Sequence, residues 1–446
     1  VKKKTILLLA ALPAWYASSV WAETVTLQEA VGRALHGNRQ LQAATLEQGA
    51  AREGVAVSRS RYLPQVVIES GAVLSNTPSS VFMMKLDEAR INPATDFAAA
   101  TLNHPAARGD FRSAVRLEQP LLDVSVSTGV ALAAKDAEAA DASLEKTREQ
   151  IAFRVYLCYL AVRKAAAFRD IADQTLADAR EHGRLAEVRE RDGVGLKSDR
   201  LRAATALAEA EQSLVSAKND LTLARLRLNL AVGGAEGGAL DVAGTPELRE
   251  PGGEAELQEL AQTSRPELKL GQRTVEKGEL AVRQAKAAYL PTIYASAGYQ
   301  LNDRDLPFGV DNDSWSVGVN LRWELFDGTR RSHELKRAEL SRQAAATLLE
   351  DRRREVTLQV TESTLRRQET RLRLASARAA LKAAEETTRL VTLRFRNGLS
   401  SMVELMDAES VLNRSRANLV EVENAQLAST GELYFQAGRF VKEVMR

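Results

Sequence analysis

The sequence predicts an all-α chain carrying a transmembrane β part, with the whole layout made twice. Three observations lead there. Residues 314–326 (SWSVGVNLRWELF) alternate cleanly: Trp315, Val317, Val319, Leu321, Trp323 and Leu325 fall on one face, and Ser314, Ser316, Gly318, Asn320, Arg322 and Glu324 on the other. A period of two with one apolar and one polar side is a β-strand. Aromatic residues near both ends of the apolar side suit a strand crossing a bilayer, lipid outside and a wet lumen inside. The second observation is proline usage: none lies between Pro120 and Pro246, and the last is Pro307. Both proline-free runs are rich in alanine, leucine, glutamate and arginine, the composition of very long helices or coiled coil. The third is an internal repeat, which the order of elements brings out below.

Composition narrows the function classes. Aromatics are only 5% and charged residues 27% of 446, unlike an ordinary globular enzyme. Lys and Arg number 61 against 59 Asp and Glu, interspersed along the chain, so no basic stripe supports nucleic-acid binding. The N-terminus reads as a secretory signal peptide over residues 1–22. Lys2, Lys3 and Lys4 give a positive start, residues 6–12 an apolar core too short to span as a helix, and Val20-Trp21-Ala22 a cleavage pattern before Glu23. The single cysteine, Cys158, sits in an apolar run and is expected to pack as a small buried hydrophobe.

After the leader, residues 26–62 have helical periodicity with a break at Gly37-Asn38, ended by Tyr62-Leu63-Pro64. Residues 65–76 form a candidate strand with poor alternation, 77–110 a loop, and 111–122 an alternating strand. A helix then runs to about Arg191, Asp192-Gly193-Val194-Gly195 turns the chain, and a second helix reaches Ala231. In that helix Leu207, Leu214, Leu221 and Leu228 recur every seven residues, as do Ala203, Ala210, Ala217, Ala224 and Ala231. The two series make the a/d seam of a left-handed coiled coil with one small partner per layer. Residues 233–253 then form a glycine- and proline-rich connector.

The second half repeats the first. Tyr289-Leu290-Pro291 echoes Tyr62-Leu63-Pro64, Leu325-Phe326-Asp327 echoes Leu121-Leu122-Asp123, and Arg396-Asn397-Gly398 echoes Arg191-Asp192-Gly193. The halves, 23–245 and 246–446, each read helix, strand, loop, strand, very long helix, turn, helix, with the second pair of strands at about 292–301 and 314–326. Four strands per chain cannot close a barrel, and an open edge in hydrocarbon leaves backbone groups unpaired. Closure must come from further copies. Two copies would give eight strands and a filled interior, three would give twelve and some lumen. Helices of about 68 residues span roughly 100 Å, so they must project into an aqueous compartment. The turns at their free ends would lie about 100 Å from the barrel.

The chain resembles the TolC-type outer-membrane factors of Gram-negative bacteria. The resemblance rests on the duplicated layout, the Tyr-Leu-Pro entries to the strands, and the exits Gln119-Pro120-Leu121 and Trp323-Glu324-Leu325-Phe326-Asp327. It rests also on the Arg-Asn-Gly turn followed by Val403-Glu404-Leu405-Met406-Asp407-Ala408. It implies a homotrimer with a 12-stranded barrel in the outer membrane and a coiled-coil α-barrel across the periplasm. It implies an exit duct for efflux or type I secretion, with outer-membrane lipid around it, a periplasmic adaptor docked to it and an inner-membrane pump driving it. A soluble periplasmic coiled-coil adaptor is the alternative, and it leaves the four amphipathic strands unexplained.

The expected site residues follow. Trp315, Trp323, Phe326 and Phe111 are candidates for the membrane interface. The hairpin turns could be plain connections, with glycine supplying positive φ; the resemblance makes Gly193, Val194, Gly398 and Leu399 the tips that receive the adaptor. Glu404 and Asp407 share one helical face. Ser401-x-x-Glu404 also fits a capping box, and acids favour a first helical turn. The resemblance instead matches both to acidic constriction rings, with Asp199 the corresponding acid of the other hairpin. Where family members place a basic residue two positions after the second glycine, this chain has Ser400. His36, His104, His182 and His333 are scattered without ligand spacing, and no phosphate-binding loop or catalytic constellation stands out. No catalytic residue, cofactor or metal is expected, and Met83-Met84 reads as packing.

Overall fold

The computed structural model describes residues 23–446, so the leader expected at 1–22 lies outside the described residues. In order the chain forms β1 (Glu23–Val25), α1 (Leu27–Gly37), α2 (Arg39–Ser60), β2 (Gln65–Ser75), α3 (Pro78–Asp87), α4 (Ala99–Asn103), β3 (Arg108–Leu122), α5 (Val124–Arg191), α6 (Lys197–Val232) and β4 (Leu240–Val242). It continues with α7 (Glu254–Ser264), α8 (Pro266–Ala287), β5 (Thr292–Asp303), β6 (Asn312–Arg322), α9 (Arg330–Arg396), α10 (Met402–Gln436) and α11 (Phe440–Val444). Two compact units emerge. One comprises residues up to 43, 146–265 and 356–446; the other comprises 44–145 and 266–355. The division falls within the long helices α5 and α9, so each half of the sequence contributes to both units.

The second unit contains a four-stranded antiparallel sheet in the order β2-β3-β5-β6. One row of paired residues runs Ile68, Val115, Tyr299, Trp315 and the next runs Val66, Leu117, Ala297, Val317. The opposite face carries Glu69, Ala114, Gln300, Ser314 and then Val67, Arg116, Gly298, Ser316. The register therefore sorts apolar from polar side chains across four strands, which one slipped residue would invert. On β6 the apolar face is left open: Trp315, Val317, Val319 and Leu321 are 63–76% exposed. On the polar face Arg116 pairs with Glu69 at 2.6 Å, and Asn320 donates to Ser296 Oγ at 2.9 Å. β2 is apolar on both faces (Val67 and Val73 against Ile68 and Leu74), which is why its alternation is poor.

The strand pairs are entered and left in the same way in both halves. Leu63 and Leu290 each close a last turn by donating to Ser60 and Ala287, and proline then prevents continuation. Gln119 donates to the Tyr62 carbonyl at 2.8 Å, and Trp323, its counterpart in the repeat, donates to the Tyr289 carbonyl at 3.1 Å. Trp323 is thus a correction to the sequence reading. β6 ends at Arg322, four residues short of Phe326, and Trp323 and Leu325 do not extend its apolar face. Asp123 accepts from Ser125 N–H at 2.8 Å and Asp327 from Arg331 N–H at 3.0 Å, so each aspartate starts its long helix. The stretch read as a loop at 77–110 folds in part as α3 and α4. It is held by Lys85–Asp96 at 2.6 Å and by the buried pair Glu88–Arg108.

The second unit also holds α8 and most of α2, whereas the first unit packs α1, α6, α7, α10, α11 and the adjoining parts of α5 and α9 around a core that includes Val25, Val31, Val155, Tyr156, Tyr159, Leu228, Leu433 and Phe440. β1 and β4 form a parallel pair, Glu23 opposite Leu240. Tyr156 donates to the Leu427 carbonyl at 2.6 Å and Tyr159 to the Ala243 carbonyl at 2.5 Å, which satisfies both buried hydroxyls. Cys158 is half-buried rather than buried. Of the α6 heptad, Ala203, Ala210, Leu214, Leu221, Ala224, Leu228 and Ala231 are buried, and Leu207 and Ala217 are half-buried.

Gly431 has no room for a side chain, since a Cβ there would sit 2.3 Å from Tyr156 Cε1. Gly431→Ala is expected to destabilise the protein by about 1–3 kcal/mol through overpacking. Tyr156→Phe should cost about 1 kcal/mol through the lost hydrogen bond. Thermal unfolding of the purified protein measures both, and a neutral Gly431→Ala would refute the tight packing at this ring.

Candidate functional site

The two hairpin turns have the same main-chain construction. Gly193 (φ +77°) and Gly398 (φ +73°) adopt the left-handed conformation that glycine tolerates without strain. Gly193 N–H donates to Glu190 O at 3.1 Å and Val194 N–H to Arg189 O at 3.0 Å. Gly398 N–H donates to Phe395 O at 3.0 Å and Leu399 N–H to Arg394 O at 2.8 Å. Each is a Schellman closure, which satisfies the last helical carbonyls. Such closures usually pack the residue after the glycine against an apolar side chain in the last turn. Here that position holds Arg189 or Arg394, and Val194 and Leu399 stay 70% and 67% exposed.

The ends of all four long helices meet in one cluster of Ala186, Ala203, Phe395, Met402 and Leu405. Arg189 lies over the Phe395 ring at 4.8 Å and donates to its carbonyl at 3.4 Å, joining α5 to α9. A second layer, Leu176, Ala179, Ala210 and Leu214, continues between α5 and α6.

Around this cluster stand the three predicted acids. Asp199 is half-buried in the first turn of α6, one turn before Ala203. Glu404 and Asp407 are exposed on one face of α10, either side of Leu405. Ser401 caps α10, its hydroxyl accepting from Glu404 N–H at 3.2 Å. The Ser400 hydroxyl donates to the Glu404 carboxylate. That bond first, then the Ser401 backbone, holds the Glu404 carboxyl below its ordinary range. The cap weighed from the sequence is therefore present, and it leaves both carboxylates at the surface.

One pair was not foreseen. His182 on α5 and Glu409 on α10 meet at 2.6 Å between Nε2 and Oε1, their side chains only 12% and 20% exposed. A separation of 227 residues leaves no local signal for such a contact. The four aromatics lie where the strands end or just beyond. Phe111 shares the face of Val115 on β3, Trp315 that of Val317 on β6, and Trp323 and Phe326 follow β6. No cluster of histidine, cysteine or carboxylate side chains suited to a metal occurs among the described residues.

The sequence profile of the family described as "Outer membrane efflux protein" matches residues 30–234 and 257–439, most of the chain. The chain belongs to this family. Its fold is that of the TolC-like channels, and it is an outer-membrane channel protein. Relatives span both efflux and secretion. Protein CyaE of Bordetella pertussis is 30% identical over 173 residues, 38% of this chain and 36% of that one. The alkaline protease secretion protein AprF of Pseudomonas aeruginosa is 22% identical over 91% of this chain and 82% of its own. Outer membrane protein TolC of Vibrio cholerae is 26% identical over 94% and 91%. Among solved structures, CusC superposes with a TM-score of 0.79 at 18% identity, over 95% of both chains. The CmeC outer membrane channel of Campylobacter jejuni gives 0.78 at 15% identity, over 93% of this channel and 86% of its own chain. At these identities the structures speak for the fold.

Ser400→Ala should move the Glu404 titration up toward its ordinary value. A depressed carboxyl contributes stability above its ordinary pKa of 4.5 and loses it as pH falls through the depressed value. The variant should therefore lose its acid resistance at the α10 start at a higher pH than the parent. Hydrogen exchange of residues 402–407 against pH reads this, and identical profiles would remove Ser400 from the account.

Proposed function

We propose that this channel is a passive exit duct, three copies of the chain closing one twelve-stranded barrel for export of small molecules or polypeptide. The observation that carries the reading is the four-stranded sheet. β2 and β6 each have one unpaired edge, and the apolar face is exposed on both of these strands. Hydrocarbon tolerates neither open edge, so β6 of one copy pairs with β2 of the next until the ring closes. The helices favour the same arrangement. Leu223, Leu226 and Leu230 on α6 are exposed, as are Leu358, Leu365 and Leu372 on α9. Both patches lie roughly 45 Å along their helices from the hairpin turns, so α6 of one copy meets α9 of its neighbour at one level. The halves 23–245 and 246–446 then act as alternating equivalent segments of the ring.

In this reading the tips dock a periplasmic adaptor coupled to an inner-membrane pump, and the chain supplies no energy. Support comes from Val194 and Leu399, apolar, exposed and not needed by the turns that carry them. Asp199, Glu404 and Asp407 are the gate: a three-fold axis brings three copies of each carboxylate together, and such rings attract cations, multivalent ones most strongly. Trp315, Trp323, Phe326 and Phe111 sit at the membrane interfaces.

The assembled protein in planar bilayers tests the duct. It should conduct weakly at rest, select cations, and be blocked by trivalent cations from the helical side. Replacing Glu404 and Asp407 together by alanine should remove block and selectivity, raise conductance several-fold, and leave the trimer intact. A double variant that conducts and blocks like the parent, but unfolds at lower temperature, would reduce both acids to helix caps. Docking is tested by Val194→Asp with Leu399→Asp, which keeps the main-chain turns. Export from cells should fall to background while trimer level and bilayer conductance stay unchanged; undiminished export would return the tips to plain connections.

A further inference from the structure

We propose that His182 and Glu409 form the tie that fixes α10 against α5 and so positions the Glu404 and Asp407 carboxylates, making the resting gate sensitive to pH. The inference rests on reading those two carboxylates as the gate. Each residue turns a helix by about 100°, so Glu409 stands nearly opposite Asp407 on α10, while Glu404 and Asp407 share a face. Pulling Glu409 toward α5 therefore sets the rotation of α10 and aims the two acids away from α5. Above the tip cluster the helices leave a cavity of about 480 Å³, lined by His182, Ala203, Ala210, Met406, Glu409 and Asn413 among others. On the cavity side α10 is held toward α5 by this polar tie, while Thr388 of α9 donates to the Ala408 carbonyl at 3.1 Å on its other flank.

A carboxylate only accepts, so His182 Nε2 carries a hydrogen in either charge state. Nδ1 is buried and has no partner, so a second proton adds there and leaves the tie in place. The surroundings favour that proton. Asp178 on α5, Glu209 on α6 and Glu409 on α10 outnumber Arg414 on α10 around the cavity; Glu181 on α5 adds to them, though it pairs with Arg184 at 2.7 Å and feels Arg396 of α9. Burial pushes the imidazole pKa down, but Glu409 and the other acids outweigh it and the net shift is upward. A raised pKa means the charge on the tie is complete below the ordinary value of 6.5 and is lost as pH climbs through the raised value, leaving a weaker hydrogen bond from a neutral ring. The gate is thus held in acid and neutral conditions and loosens in alkaline ones.

Conductance of the full-length assembly in planar bilayers from about pH 5.5 to about pH 9 tests this. The parent should stay low at the acid end and rise several-fold toward the alkaline end. His182→Ala should be high and flat across the range. His182→Gln keeps an uncharged N–H for Glu409, as neutral His182 does, and should be flat at the parent's alkaline level. Exchanging the pair, His182→Glu with Glu409→His, should restore the slope, and it carries the test if the alanine variant fails to assemble. A His182→Ala assembly with parental conductance and slope would overturn the tie, as would an exchanged pair that assembles but stays flat. Failure of the gate itself reads differently: replacing Glu404 and Asp407 would leave the trivalent block intact, whatever happens at His182.

Discussion

A peptide group in hydrocarbon must find its hydrogen-bond partner within protein, and in this chain four strands leave two edges without one. The constraint reaches well beyond the sheet. It explains why β3 and β5, the second strand of one half and the first of the next, share the central ladder. The two halves are joined there rather than closed separately, and the unpaired positions are moved to β2 and β6. Pro120 fits the same logic. It lies beyond Glu118, where β2 stops pairing, opposite Tyr294 and next to a register shift against β5, the end of the ladder where proline is tolerated. The apolar face carries the opposite requirement, since leucine, valine and tryptophan exposed to water would favour collapse or association.

The helical part answers a different problem. Helices as long as α5 and α9 bury little of themselves, and their stability rests on narrow seams rather than on a wide core. Alanine in every other seam layer of α6 draws its neighbour close, whereas the tip cluster relies on Phe395, Met402 and Leu405 to fill the ends. Between these regions lies the cavity near His182, where polar contacts take over from packing. A few directional bonds of this kind can be exchanged, while an interdigitated core resists small displacements.

Much of this was legible in the sequence because it depends on period and on special residues. Ala203, Ala210, Leu214, Leu221 and Leu228 could be read from spacing alone, and the strand entries from Tyr-Leu-Pro, because proline acts on its own neighbour. The exposed face containing Glu404 and Asp407 followed from helical spacing once α10 was assigned. Other features depend on distant partners. Trp323 continues the alternation of β6 in sequence, yet its indole turns to the Tyr289 carbonyl, a contact made only after the helix before β5 is placed. α3 is short and held by buried Val81 and Met84, by Phe82 against Phe97, and by Lys85–Asp96 and Glu88–Arg108, contacts that no periodicity announces. His182 looked like one scattered histidine because Glu409 reaches it only through the packing of α5 on α10.

The Schellman closures at Gly193 and Gly398 use only main-chain donors and acceptors and one glycine each. The side chains just past those glycines are consequently free of structural duty. Substitutions there leave the main-chain closure, and the helices behind it, unchanged. Two such tips per chain, built alike but bearing valine in one and leucine in the other, can diverge separately.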